Sequence, residues 1–317
     1  MPIAPGLSTI REAQALLRNC LDVTPVVQAR SLARAGAEAW LKIETGLPTG
    51  SFKPRGALFG LACALKRQRV EEVTACSTGN HGAAVAFAAK ILGVRATIFL
   101  PENPNRVKRK KIEDLGARIV MTGSVDLVDA ARHVVEYSTR PGVYFLNDST
   151  DPDLPAGPGT IGLELLEQTP DVTSVYVPMG DTALIRGIGA AFKQVRPSVR
   201  IIGVQAERAP SYVLSWRENK PVQTDSCDTC ADGLATRMPD AQNVAAIRQV
   251  VDDVVLVSEQ EMIDAVRRLY RDEGVLAEPS GAATTAAWLH QPAVSGHAIL
   301  LVTGGNLSDA VREQAAI

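Results

Sequence analysis

The chain has 317 residues, 46% of them apolar, and a formal net charge of −2. That is enough apolar material for one large core or two modest ones, and too little net charge to favour nucleic acid. No signal peptide opens it and no apolar run approaches ~18 residues, so the expected setting is soluble, reducing and cytoplasmic, with no membrane partner.

In chain order, short β-branched runs alternate with longer amphipathic ones. Strands are predicted over 73–77, 95–100, 117–121 and 143–146, with helices between them over 82–92, 104–115 and 125–137. After a Pro-, Asp- and Gly-rich loop at 147–159, strands are predicted over 174–178, 200–205, 251–257 and 298–302, and helices over 183–195, 259–273 and 281–290. A second loop is expected at 221–242. Ser258 and Glu261 make a capping box in front of the helix at 259. This alternation implies an α/β protein with mostly parallel sheets. The basic run at 106–111 is followed at helical spacing by Glu113 and Asp114, which reads as a solvated helix face. The cysteines (Cys20, Cys63, Cys76, Cys227 and Cys230) are odd in number and scattered, unlike a disulfide framework. The pair Cys227 and Cys230 lacks the second pair or nearby His that a zinc site needs, so a polar loop is expected there.

Ligands of open α/β sheets gather where strands end and helices begin. The turn Ser77-Thr78-Gly79-Asn80-His81-Gly82 follows a strand; its small residues and helix-start N–H groups suit an anion such as a carboxylate. Gly180-Asp181-Thr182-Ala183-Leu184 follows another and could cradle a phosphate, though it is neither a P-loop nor a dinucleotide fingerprint. Thr303-Gly304-Gly305-Asn306 offers a hydroxyl at a strand's carboxyl end. Lys53, beside Phe52 and just before a helix, could be desolvated, which lowers an amine's pKa and frees it for Schiff-base chemistry. Singly, the turns at 180 and 303 read equally well as ordinary turns, the turn at 77–82 reads better as a binding turn, and Lys53 reads better as a surface lysine.

Together they do more. With S-F-K-P-R-G-A at 51–57, S-T-G-N-H-G at 77–82, A-D-G-L-A at 231–235, E-P-S-G-A at 278–282 and T-G-G-N at 303–306, the chain resembles the fold-type II pyridoxal-phosphate enzymes. The likeness is to the threonine/serine dehydratase and serine racemase group, from Ile10 to about Asp309. It implies a two-lobed, tryptophan synthase β-like α/β fold. The large cofactor-binding lobe would comprise 1–71 and 149–317, and the small substrate-carboxylate lobe 72–148. It also implies pyridoxal 5′-phosphate as cofactor and, usually, a homodimer. Lys53 matches the Schiff-base lysine, Phe52 the residue packed on the ring and Asn80 the partner of the ring's 3-hydroxyl. Gly180 to Leu184 match the phosphate loop, Thr303 the hydroxyl facing the pyridine nitrogen, and Glu278 an acidic residue near the site. Ser77, Thr78, Gly79, Asn80 and His81 match the carboxylate binder, and Asn147 is expected beside the substrate. The loops at 147–159 and 206–212 are expected to wall the pocket.

The expected activity is dehydration and deamination of a 3-hydroxy amino acid to a 2-oxo acid and ammonia, with the freed Lys53 amine taking the α-proton. β- or γ-replacement, racemisation, and a binding protein that has lost catalysis are the rivals. Three departures from the family pattern matter. Asp181 puts a carboxylate beside a phosphate, so it is expected to point away or pair with a cation such as Arg186. This variant loop is similar to dehydratases of hydroxyectoine utilisation or of phenylserine. Gln205 and Ser211 stand where relatives place two metal-binding carboxylates, so no Mg or Ca is expected. Thr78 stands where racemases carry a second serine hydroxyl, as a second catalytic candidate. With the chain ending near 317, control by a separate regulatory domain is not expected.

Overall fold

The computed structural model describes residues 4–77, 79–102, 104–123, 127–290, 292 and 295–317, with backbone only for 127–130. In chain order the elements are α1 (Leu7–Leu17), β1 (Val26–Gln28), β2 (Ala37–Ile43), α2 (Pro54–Arg67), β3 (Glu72–Cys76), α3 (Asn80–Leu92), β4 (Arg95–Leu100), α4 (Arg106–Asp114), β5 (Arg118–Met121), α5 (Leu127–Ser138) and β6 (Val143–Phe145). Then come α6 (Ala156–Gln168), β7 (Val172–Pro178), α7 (Ala183–Val195), β8 (Arg200–Ala206), α8 (Ser211–Glu218), α9 (Ala241–Val250), β9 (Asp253–Val257), α10 (Glu259–Glu273), α11 (Pro279–His290), β10 (Gly296–Val302) and α12 (Asp309–Ala315). No described helix is long and apolar enough to cross a membrane.

Two sheets form among the described residues: six strands in the order β1-β2-β10-β7-β8-β9, and four in the order β5-β4-β3-β6. Of the described strands only β1 is antiparallel to its neighbour. The larger sheet is covered on both faces, which explains the unbroken apolar run of β10. Alternation splits that run: Ala298, Leu300 and Val302 enter one core with α10 and α11, while Ile299 and Leu301 enter the opposite core with α7 and α9. A third core forms around the smaller sheet. Helix α2, whose residues 54–67 precede the proposed small lobe, packs Leu58 and Leu61 into that core against Val73 and Ile98.

Strand order locates the site. In the larger sheet the chain steps outward from β7 through β8 to β9, and β10 lies on β7's other side. In the smaller sheet it steps from β3 through β4 to β5, and β6 lies on β3's other side. Each such reversal opens a crevice at the strands' carboxyl ends. The segments leaving β7, β10, β3 and β6 are residues 179–182, 303–306, 77–79 and 146–149.

Several predicted elements shift for identifiable reasons. Helix α3 starts at Asn80 rather than 82. The loop expected to 159 ends at α6, and the one expected to 242 ends when the Asp240 side chain accepts from the N–H groups of Gln242 and Asn243. Positions 125 and 126 of the predicted helix lie outside the described residues. The Ser258–Glu261 capping box forms.

The basic run is only half a solvated face. Arg109 pairs with Glu113 and Lys110 with Asp114 one turn on. Lys108 is instead buried on Asp232 and Glu278, and Lys111 reaches Asn306 and the Thr49 carbonyl.

Candidate active site

The residues around Lys53 are held from both sides. The Phe52 N–H donates to the Thr303 carbonyl at 2.9 Å, and Ser51 bridges Gly304. Lys53 then caps α2, with Pro54 as its first residue. Arg55, fully buried, donates to Glu44 at 2.8 Å and to Glu164 at 2.5 Å, and Lys42 joins Glu164 at 2.6 Å. This ionic cluster fixes the helix start, so the Lys53 side chain projects into a cavity. Its Nζ lies 5.4 Å from the centre of the Phe52 ring.

Turns from both sheets wall that cavity. Gly180, Asp181, Thr182, Ala183 and Leu184 line one side, where α7 begins. Thr182 sits in the left-handed region at φ 66°, and its buried hydroxyl finds no partner among the described residues. Gly180 must be glycine: a Cβ there would stand 2.2 Å from the Gly233 carbonyl oxygen. Thr303 and Glu278 line the floor. Glu278 is bound by Asn80 Nδ2 at 2.5 Å and Lys108 Nζ at 2.9 Å, and Asn306 Nδ2 reaches Asn80 Oδ1 at 2.8 Å. Burial lifts the Glu278 carboxyl above its usual range even though Lys108 opposes this.

Ser77, Asn80 and His81 line the side given by the smaller sheet. The Gly79 N–H donates to Ser77 Oγ at 2.9 Å, and a Cβ on Gly79 would strike the Lys108 stem. Thr78 lies outside the described residues. His81 is buried; Nε2 bonds the Leu146 carbonyl at 2.8 Å, and burial pushes the ring's pKa below its usual value although Asp148 opposes this.

The chain compares closely with known proteins. The model of the family described as pyridoxal-phosphate dependent enzyme matches residues 17–304. This chain is a member of the pyridoxal-phosphate dependent enzyme family. It is 37% identical to an L-threonine ammonia-lyase of Thermotoga maritima, over 95% of this chain and 75% of that one. Among solved structures, maize serine racemase aligns at a TM-score of 0.92 and 30% identity, covering 99% of this chain and 97% of that one. A threonine deaminase from T.th. aligns at 0.89 and 32%, covering 96% and 99%.

The cavity fits the cofactor that gives the family its name. A phosphate wants N–H groups at a helix start and a free hydroxyl; the start of α7 and the unpartnered Thr182 Oγ1 offer both. An aldehyde wants an amine inside the same cavity, and Lys53 is there.

Three expectations need correcting. Asp181 neither points away nor pairs with Arg186. It lines the cavity and accepts from Thr236 Oγ1 at 3.3 Å, while Arg186 donates to the Ser149 carbonyl at 3.0 Å. Burial first, and then Asp148, push the Asp181 carboxyl up to about 6. At neutral pH such a carboxyl is still mostly ionised, and a phosphate beside it would favour its protonated form further, which eases the conflict in the sequence. Asn147 turns away from the cavity; its Oδ1 caps the N–H groups of Ser149 and Thr150 at 2.9 and 3.2 Å. The wall expected from 206–212 comes instead from Asp232, Gly233, Leu234, Ala235 and Thr236, while Tyr212 is buried against Asn243. Gln205 Oε1 accepts from the Val213 N–H at 3.0 Å, and Ser211 Oγ donates to the Thr236 carbonyl at 2.5 Å.

Sequence reasoning passed over Asp148. Its Oδ2 is 2.7 Å from Lys53 Nζ. The usable signal was position: it comes just after the predicted strand 143–146, at a carboxyl end, in a loop expected to wall the pocket but in which Asn147 was singled out instead.

Proposed function

We propose that the chain is an ammonia-lyase that removes water and then ammonia from a threonine- or serine-like 3-hydroxy amino acid, leaving a 2-oxo acid. The observation that carries it is the Lys53 amine, set in one cavity with a phosphate-type helix start and with Ser77, Asn80 and His81. The 37% identity to a threonine ammonia-lyase supports the reaction class.

Each residue then has a task. Lys53 anchors the cofactor covalently, with Phe52 packed beside it. The loop of Gly180, Asp181, Thr182, Ala183 and Leu184 holds the phosphate. Thr303 presents a neutral hydroxyl and Asn80 a donor. The start of α3 at Asn80 and His81 receives the substrate carboxylate. Bound, the cofactor supplies an electron sink for the charge left at the substrate's α-carbon. The freed Lys53 amine takes the α-proton, and the polar side chains lining the cavity hold the substrate in line with it. The same reading places the enzyme in the cytoplasm as a homodimer.

The test is release of ammonia and 2-oxo acid from L-threonine, L-serine, 3-hydroxyaspartate and phenylserine. Release from at least one without any added nucleophile is expected. Release only when a thiol is supplied would make the enzyme a replacement catalyst, and inversion without release would make it a racemase.

A further inference from the structure

The carboxylates that face Lys53 come from three turns: Asp148 after β6, Asp181 before α7 and Glu278 before α11. Two of them have other partners. Glu278 is held by Lys108 and Asn80, and Asp181 accepts from Thr236. Asp148 is bonded to Lys53 itself, at 2.7 Å. Its aim is fixed locally, because Asn147 caps the two residues that follow it.

A second group stands behind this pair. His81 Nδ1, buried and without a hydrogen bond among the described residues, lies 3.9 Å from the same Asp148 oxygen. Its Nε2 is hydrogen-bonded to the Leu146 carbonyl.

We propose that Asp148 is the positioning residue of Lys53: its carboxylate holds the free ammonium in the cavity and sets how readily that ammonium gives up its proton. A buried pair of opposite charges leaves no lone charge out of water. Both shifts agree with a held ion pair: although burial opposes it, His81 and Lys53 keep the Asp148 carboxyl well below its usual range. Burial alone would depress the Lys53 ammonium, yet Asp148, with smaller help from Asp181 and Glu278, holds it above the ordinary lysine value. The proposal rests on the lyase reading only for the role it gives Lys53.

The test follows Lys53 without turnover. The full-length chain, stripped of cofactor, is treated with an amine-acylating reagent across a pH series, and labelling of the Lys53 peptide is read by mass spectrometry. Only the neutral amine reacts. In Asp148→Asn the labelling midpoint is expected to fall by about 1–3 pH units, with labelling at pH 8 rising about ten-fold or more. Asp148→Glu should restore most of the midpoint, and Asp181→Asn should move it less than Asp148→Asn. In the loaded enzyme Asp148→Asn should lower kcat more than it raises KM. Should Asp148→Asn fail to fold, Asp148→Ser carries the same expectation. A midpoint unmoved in the Asp148 variants, or moved more by Asp181→Asn, overturns the proposal and leaves the lyase reading standing. A midpoint that falls in Asp148→Asn, in a chain whose wild type has no lyase activity, supports the pair and sinks the lyase reading instead.

Discussion

Lys53 is useful only because the residues beside it cannot move. Phe52 is tied to the Thr303 carbonyl, and Arg55 is locked between Glu44 and Glu164. Lys53→Ala removes the amine without touching those anchors, so turnover is expected to fall by at least about 10²-fold while the far-ultraviolet circular dichroism stays unchanged. Asp181 gives a second prediction at this scale. Its folded carboxyl titrates at about 6, against the ordinary value of 3.8. Between these values the folded, cofactor-free chain keeps a proton that the unfolded chain has lost. Stability from this site is therefore fully present below the unfolded value and lost as pH rises through the folded one. Asp181→Asn should stabilise the stripped chain above pH 6, on the order of 2 kcal/mol, and change little near pH 4, as read from denaturant midpoints.

At the scale of elements, close approach between turns shapes the phosphate cradle. Gly180→Ala would press a Cβ onto the Gly233 carbonyl and part the two turns, at a cost of about 1–3 kcal/mol. Its cofactor affinity, measured by absorbance titration of the stripped chain, should fall accordingly. The same use of glycine explains what the sequence hid. Residues Ala156, Gly157, Pro158 and Gly159 look like loop, but they open α6. Gly157 is there because a Cβ would meet the Arg55 carbonyl at 2.2 Å, where α6 crosses α2. Helix α2 itself is buried over most of its length, so it carries little of the periodic contrast that marks a helix in sequence. By contrast, β7, β8 and β10 were legible as short β-branched runs between amphipathic helices. Lys53, Thr182 and Thr303 were legible because their motifs follow a family pattern. Asp148 was not, because its role arises from where two separate strands end.

At the scale of the whole molecule, α4 fastens one sheet's unit to the other. Lys108 reaches Asp232 at 2.6 Å and Glu278 at 2.9 Å, and these two acids hold its ammonium well above the usual range despite burial. Composition offered no hint of this, since a lysine in a basic helix is usually solvated. Lys108→Met would leave Glu278 buried without its cation. The expected loss is about 3 kcal/mol of stability, seen as a lower unfolding midpoint that recovers in part at acid pH, where Glu278 is protonated.

The position of the reactive amine decides most of this. Loading the chain with pyridoxal phosphate, reducing it with borohydride and mapping the peptides locates the amine directly. The cofactor's mass is expected on the peptide carrying Lys53, and its loss in Lys53→Ala. Reduction that fixes the cofactor to another lysine, or to none, would contradict the assignment.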